Sequence, residues 1–165
     1  MKTQILGDGV AAMMLASHAD ELPNHEISIV HPSGAPITRD HMLGFWKMDG
    51  LEMAVESSRT SWSKWAVITE ANKSVMHSDK HAYHIMHKAN YLHNCREKAE
   101  QHGVKFMEES EMIISESTQT FDSRPPRASK NAMLQHFLGQ EVEVDKPVFD
   151  PSTAILMDFR VDQSQ

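Results

Sequence analysis

The chain has 165 residues, of which 40% are hydrophobic and 24% are charged. This length is enough for one domain with its own core, and the apolar fraction excludes a wholly disordered chain. The formal net charge of −7 argues against a nucleic-acid partner, because phosphate binding requires clustered Lys and Arg.

The first part of the chain predicts a βαβ unit. Residues 3–6 have the composition of a short strand, a glycine-rich turn follows, and the Ala- and Met-rich run 10–19 predicts a helix. Residues 27–30 form a second β-prone run, which is closed by the turn sequence of residues 31–34. Strand, turn, helix and strand within about 30 residues imply parallel pairing with a right-handed crossover.

The remainder predicts a mixture of helices and strands. A short helix is expected at 51–58, and a longer one begins with Asn90 as N-cap, continues to about His102 and ends at Gly103. The single cysteine, Cys95, excludes an intrachain disulfide, and its place in this helix predicts a buried structural role. Besides a short strand leading into Asp122, the candidate strands are 65–69, 104–107, 112–115, 140–144 and 155–159.

Residues 123–130 contain two prolines and three basic residues, so we expect an exposed loop there. No internal repeat or linker stands out. We therefore treat residues 1–165 as a single domain of the α/β class.

The turn after the first strand carries the clearest chemical signal. It fits the dinucleotide-binding pattern G-x-G-x-x-A, in which the first Gly permits a sharp turn and the second lets a pyrophosphate approach the backbone. The small third residue lets helix and strand pack closely, and the pyrophosphate rests on the helix N-terminus. We predict a cofactor-binding turn made of Gly7, Gly9, Val10, Ala11 and Ala12. The alternative is a glycine-rich turn without a ligand.

Two residues depart from this pattern. The second strand should end in Asp or Glu for the ribose hydroxyls, but here Val30 is followed by His31. A neutral imidazole accepts only one hydrogen bond. Asp8, inside the turn, places a negative charge near the expected pyrophosphate. Both departures predict weakened dinucleotide binding.

Four histidines, His77, His81, His84 and His87, have spacings that would share one helical face, as metal ligands often do. Tyr83 and the apolar residues beside it break the helical stripe, and no cysteine supports the cluster. We therefore favour a surface-rich, partly extended segment with solvated histidines over a metal site.

No run approaches the roughly 20 apolar residues of a membrane span, and the N-terminal apolar run is too short for a signal peptide. A cytoplasmic location is the expectation, and peripheral contact with the inner face of the membrane stays open.

Four ordered blocks near the end of the sequence carry a family resemblance. They occupy residues 121–126, 134–143, 147–151 and 156–163, and they look like the front part of a lycopene cyclase of the bacterial type. Residues 38–46 and 82–86 and the helix after Asn90 resemble earlier blocks of the same family, so the resemblance covers nearly the whole chain.

The resemblance implies a Rossmann-like FAD/NAD(P)-binding fold with additional β-strands. It also implies an activity, the closure of the linear ends of lycopene into β-rings in carotenoid biosynthesis. This isomerisation has no net redox change: a carboxylic acid protonates the terminal double bond, a carbocation forms, the ring closes and a proton leaves. The family is expected to use reduced FAD, kept reduced by NAD(P)H, and to meet its apolar substrate at the membrane surface.

Carried over by position, Gly7, Gly9 and Ala12 match the family's pyrophosphate turn, and His31 falls at its ribose-binding carboxylate. Arg39 matches a basic residue near the cofactor, and Asp122 ends the strand that leads back toward it.

Two further departures concern length. The connection between Glu111 and Phe121 is shorter than the family's usual hairpin, and the family continues well past Gln163 with the acidic motif often assigned to cyclisation. We therefore expect an incomplete Rossmann-like domain with little or no cyclase activity and no assigned catalytic residue. The alternatives are a non-catalytic nucleotide-binding remnant or interaction module, and a flavin-dependent oxidoreductase.

Overall fold

The computed structural model describes residues 1–34, 40–112, 118–126, 129, 131 and 139–161. The chain divides into two compact units, one of Met1–Ser61 with His84–Arg124 and the other of Trp62–Tyr83 with Pro125–Gln165. The strands are β1 Lys2–Leu6, β2 Glu26–His31, β3 Met42–Trp46, β4 Ser58–Trp62, β5 Lys64–Ile68, β6 Lys73–His77, β7 Tyr83–His87, β8 Lys105–Glu108, β9 Thr118–Asp122 and β10 Thr153–Asp158. The α-helices are α1 Val10–Ser17, α2 Glu52–Glu56 and α3 Lys88–Gln101.

A parallel sheet organises the first unit. Its strand order is β8-β2-β1-β9, and each neighbouring pair runs parallel. Taken in chain order these strands are arranged 3-2-1-4, which is the order in dinucleotide-binding folds. The carboxyl ends of β1, β2 and β9 meet at one edge, because Leu6 is in register with Val30 on one side and with Asp122 on the other. The predicted βαβ unit and the strand that leads into Asp122 are confirmed.

One face of this sheet is buried beneath α1 and α3. Small side chains on the helices let them lie close to the branched side chains of the strands, and burying each large aliphatic residue contributes about 1.5–3 kcal/mol. The cluster consists of Ile5, Ala12, Ala16, Ile27, Ile29, Ala99 and Val104.

A second buried cluster surrounds α3 and includes Cys95, Met13, Met86 and Tyr91. Cys95 is fully buried, and its thiol donates to Sδ of Met53 at 3.4 Å. Burial raises the pKa of this thiol, so it stays protonated and inert. The predicted structural role of Cys95 is confirmed.

The remaining strands form two three-stranded sheets, ordered β3-β7-β4 and β10-β5-β6. In the second of these, which belongs to the second unit, β10 runs parallel to β5 and β6 runs antiparallel to it. Several large apolar side chains of this unit are exposed: Val75, Met76, Val148, Phe149, Ile155, Met157, Phe159 and Val161. Within the described residues, no helix has the length and apolar character needed to cross a membrane.

Several predicted elements differ from the structure. The helix predicted from Asn90 begins at Lys88, since the Asp40 carboxylate accepts the backbone N–H of Ala89 at 3.0 Å and caps the first turn from 49 positions away. The strand predicted at 140–144 is wrong: these residues have no regular secondary structure and join none of the three sheets of the described residues, so alternation alone does not make a strand here. Most of the predicted strand 112–115 lies outside the described residues. Strands β3, β4, β6 and β7 were not predicted.

Candidate functional site

Gly7 begins the turn at the carboxyl end of β1. Its φ of 97° lies in the left-handed region, and its N–H donates to the carbonyl of Val30 at 2.9 Å. A Cβ at this position would lie 2.7 Å from Oγ of Ser123 and 3.2 Å from Cγ of Arg124. The first position of the pattern therefore requires glycine for two reasons, the left-handed backbone conformation and the close packing of Ser123 and Arg124.

The loop after β9 packs directly on this turn. The backbone N–H and the hydroxyl of Ser123 both donate to the carbonyl of Leu6, at 2.9 and 2.8 Å. Sequence reasoning identified neither Ser123 nor Arg124 as part of the site. The only local signal was their position immediately after the strand that ends at Asp122.

Gly9 has a different role, because its backbone is ordinary. It is the N-cap of α1 with φ −73° and ψ −180°, and a Cβ added here would meet nothing within 4 Å. Behind it, the amides of Val10, Ala11 and Ala12 have no acceptor within the helix, and the first turn carries no acidic side chain. This open helix N-terminus offers amides and a favourable dipole to an anion.

Ala12 is the small third residue of the G-x-G-x-x-A pattern and lies on the buried side of α1. It is 2% exposed and packs among the residues that join α1 to the sheet. A larger side chain would push the helix, and with it the amides of the turn, away from β1.

His31 and Asp8, the two residues that depart from the expected pattern, are partners. Nδ1 of His31 lies 2.8 Å from Oδ2 of Asp8, and both side chains are about half exposed. A carboxylate only accepts, so the imidazole donates. The pair joins the carboxyl end of β2 to the glycine turn.

A cavity of about 410 Å³ lies beside this pair at the ends of β1, β2 and β8. The Arg96 guanidinium lies 4.1 Å from the centre of the Phe106 ring and donates to Glu100 at 2.9 Å. The cavity lining consists of Asp8, Ile29, His31, Arg96, Phe106, Met107, Glu108 and Glu111. The second unit has a larger hollow of about 520 Å³, but it is lined by residues from β5, β6 and the segment around β10 and contains no glycine turn.

Asp122 reaches the same edge of the sheet and is tied to Arg124. The guanidinium donates from Nε to Oδ1 at 2.9 Å and from a terminal nitrogen to Oδ2 at 2.8 Å. These hydrogen bonds lower the pKa of Asp122 to about 2. Arg124 also reaches Oε1 of Glu109 at 3.5 Å. Asp122 is therefore an anion that orders the loop over Gly7.

The other predicted site residues are placed as follows. Arg39 lies outside the described residues. The histidine segment is partly extended, as predicted, since residues 78–82 form a turn between β6 and β7. The expectation of solvated side chains is wrong for His84, which is 6% exposed. The Ser58 hydroxyl donates to the carbonyl of Val55 at 2.6 Å, so its oxygen accepts from Nδ1 of His84 at 3.0 Å. The His84 ring stacks on Phe45. The described residues contain no group of three or more side chains suited to a metal ion.

Comparisons with solved structures agree with this architecture. The tetrameric form of 2-methyl-3-hydroxypyridine-5-carboxylic acid oxygenase is 14% identical, with a TM-score of 0.50 over 65% of this chain and 31% of that one. P. aeruginosa PqsL in complex with 2-aminobenzoylacetate is 12% identical, with a TM-score of 0.52 over 66% of this chain and 33% of that one. At these identities the likeness concerns the fold alone, and it confirms the predicted Rossmann-like α/β class. The chain spans about a third of the length of these proteins.

Sequence comparisons give a more specific result. The curated proteins contain no match to this chain. The model of the family described as lycopene cyclase protein matches residues 3–165, which is nearly every residue of both units. Together with the parallel sheet and its glycine turn, this match shows that the chain belongs to the lycopene cyclase family.

Proposed function

We propose that this chain is the cofactor-binding part of a lycopene cyclase, which binds FAD and closes the linear ends of lycopene into β-rings. The observation that carries the proposal is the family match over residues 3–165. The open helix N-terminus behind Gly9 supports it, because that is where a dinucleotide pyrophosphate binds in folds of this type.

The residues of the turn fit an FAD pyrophosphate. The amides of Val10, Ala11 and Ala12 would donate to its oxygens, and the space over Gly9 lets the phosphate approach the backbone. We extend the proposal to Arg39 as a residue near the cofactor, and to Asp122 as the residue that holds Arg124 over Gly7. Reduced FAD, maintained by NAD(P)H, would supply electrostatic stabilisation of a carbocation.

The cyclisation also needs a proton donor. In every carboxyl group of the described residues with a clearly shifted pKa, hydrogen bonds lower that pKa, so these groups are anions at neutral pH. They are Glu26, Asp40, Glu52, Asp122, Asp150 and Asp158. A donor acid requires the opposite shift, toward higher pKa. We therefore infer that these six carboxyl groups are not the proton donor. The expectation that residues 1–165 alone do not cyclise lycopene stays a proposal.

The second unit is suited to apolar contacts. Phe149, Ile155, Met157 and Phe159 are each about half exposed or more, which is unusual for side chains of this size in a small unit. We propose that this surface faces the hydrocarbon substrate or the membrane that dissolves it. We also propose a cytoplasmic location, with this surface in peripheral contact with the inner face of the membrane.

FAD binding is tested with purified residues 1–165 and two matched variants. Gly9→Ser places a Cβ in the path of the pyrophosphate, and we expect the FAD affinity measured by flavin fluorescence quenching to fall at least about tenfold. Gly139→Ser is the control, because its Cβ also meets nothing within 4 Å, at a position in the second unit. Equal affinities of wild type and Gly9→Ser would contradict the assignment of the turn.

The cyclase activity is tested by joining residues 1–165 to the C-terminal part of a characterised lycopene cyclase and expressing the fusion in lycopene-accumulating cells. We expect carotenoids with β-rings from the fusion and none from residues 1–165 alone. A fusion that binds FAD but leaves lycopene linear would argue against cyclisation. Oxidation of NAD(P)H coupled to turnover of an added substrate would favour a flavin-dependent oxidoreductase instead.

A further inference from the structure

Strand β6 is an open edge of the three-stranded sheet in the second unit. The sheet order is β10-β5-β6, and β6 runs antiparallel to β5 in a register that joins Lys64 to His77 and Ile68 to Lys73. Within the part of the chain that the structure describes, no strand pairs with the other side of β6. All of its residues are exposed. Such an edge presents backbone N–H and C=O groups with which another strand can pair.

The two ends of the β5–β6 ladder show which backbone groups of β6 point outward. The N–H of Ser78 donates to the carbonyl of Ser63 at 2.9 Å, and the N–H of Thr69 donates to the carbonyl of Asn72 at 2.8 Å. In an antiparallel ladder, hydrogen-bonded pairs alternate with pairs that are not hydrogen-bonded. Counting in steps of two from either end gives the same answer, because the register has no shift. The backbone groups directed away from β5 are those of Lys73, Val75 and His77.

The centre of this edge has little protection against pairing. Natural edge strands are blocked by proline, by a bulge or by charged side chains. Strand β6 contains no proline, and its single charged residue, Lys73, stands at its first position. The N–H of Lys73 is satisfied locally, since it donates to the side-chain oxygen of Asn72 at 2.8 Å. The central residue is Val75, which is 53% exposed. The middle of the edge is therefore both apolar and accessible.

The edge is complementary to itself when two copies run antiparallel with Val75 opposite Val75. The two valines would exchange their N–H and C=O groups, and the N–H of His77 in each copy would donate to the carbonyl of Lys73 in the other. These hydrogen bonds leave the contact between Asn72 and Lys73 intact. The valine side chains, directly opposite each other, would be covered.

The charges of the strand favour the same orientation. The positive charge of Lys73 is at the start of β6, and the negative charge of Asp79 follows its end, where Asp79 lies 3.2 Å from Nε2 of His77. Antiparallel pairing brings the start of one copy beside the end of the other, so these opposite charges approach. Parallel pairing would instead place Lys73 against Lys73, and like charges directly opposite each other are destabilising.

We propose that β6 is a dimerisation edge, at which a second copy of this chain adds its own β6 and makes one continuous sheet from the two three-stranded sheets. The contact between two strands of five residues is small, so the dimer is weak and depends on protein concentration. This inference goes beyond the proposed function and does not depend on cofactor binding at the glycine turn.

The test measures sedimentation velocity of purified residues 1–165 from about 5 to 500 µM, where a weak dimer should replace the monomer. Val75→Lys and Val75→Glu each place like charges opposite one another, and each should weaken dimerisation at least about tenfold. An equimolar mixture of these two variants pairs opposite charges, so it should dimerise at least about tenfold more tightly than either variant alone. Circular dichroism should show that both variants are folded, because the side chain of Val75 is exposed.

The matched control is Val142→Lys, which places the same charge at a valine that is 64% exposed in the second unit and lies outside the strands. It should dimerise like the wild type. A wild type that stays monomeric overturns the proposal. So does a dimer that neither Val75 variant weakens, or a mixture that dimerises no better than its components.

Amide hydrogen exchange followed by NMR tests the wild type without any substitution. The amides of Val75 and His77 should exchange more slowly as the protein concentration rises, because pairing covers them. The amide of Met76 should be unaffected, since it already faces β5 in the ladder. Exchange at Val75 and His77 that does not depend on concentration would overturn the proposal.

Discussion

Substitutions at the two glycines of the turn should have different effects. Gly7→Ala should lower the stability of the fold, whereas Gly9→Ser should leave it nearly unchanged and weaken ligand binding. Gly7→Ala places a side chain at a φ of 97°, which costs about 1–3 kcal/mol for a residue other than glycine. The new Cβ would lie 2.7 Å from Oγ of Ser123, so this hydroxyl must move and give up its hydrogen bond to Leu6, at about 1 kcal/mol. We expect a total loss of about 2–4 kcal/mol, or about 5–15 °C in the melting temperature.

Gly9→Ser is the contrasting change. The φ of −73° and the open space accept a serine, which is also a good N-cap, so stability should change by less than about 0.5 kcal/mol. Both free energies can be measured by urea unfolding followed by circular dichroism. An unchanged stability of Gly7→Ala, or an equal loss for both variants, would refute the separation.

A double-mutant cycle divides the cost at Gly7 into its two causes. Ser123→Ala removes the hydroxyl that meets the new Cβ but leaves the backbone strain. The double variant should therefore be more stable than the sum of the single losses predicts, by about 1 kcal/mol. Strict additivity would show that Ser123 does not oppose a side chain at position 7.

Three further predictions concern titratable groups. Burial lowers the pKa of His84 below its usual 6.5, so its contribution to stability should be complete above about pH 6.5 and decline as the pH falls toward the lowered pKa. The free energy of unfolding, measured with urea between pH 5 and 8, should decline toward low pH in the wild type and less steeply in His84→Gln. An equal pH dependence in both proteins would argue against a lowered pKa of His84. Arg124→Gln should raise the pKa of Asp122 from about 2 toward 3.8 in a carboxyl NMR titration. An unchanged pKa would show that Arg124 is not the partner of Asp122 in solution. Cys95 is fully buried with a raised thiol pKa, so a thiol reagent should modify it only as fast as the protein unfolds, and rapid modification of native protein would contradict its burial.

Local sequence chemistry explains why the first βαβ unit and its turn were predictable. The glycine spacing, the small residue at Ala12 and the β-prone runs on either side act within about 30 residues, where propensity and pattern decide the backbone. The same holds for the end of α3, where Gly103 has the predicted positive φ of 79°.

The features that sequence reasoning missed depend on partners far away in the chain. The first turn of α3 is capped by Asp40, and the turn at Gly7 packs against Ser123, whose hydroxyl donates to the carbonyl of Leu6. His84 lies in a strand of alternating buried positions, and its polar ring nitrogen is satisfied by Ser58. Two individually unfavourable residues, Asp8 and His31, become a hydrogen-bonded pair only after β1 and β2 align. Such compensation cannot be read from either residue alone.

The contact between Leu6 and Ser123 also sets an order of assembly. The two residues are 117 positions apart, and closing a loop of that length has an entropic free-energy cost of about 4 kcal/mol. During synthesis at about 5–20 residues per second, Ser123 is made about 6–23 s after Leu6. The glycine turn lies near the start of the chain, yet its packing is completed only after β9 has joined the sheet. A nascent chain stalled before β9 should therefore contain the strand and the helix, but its glycine turn should lack the contact with Ser123.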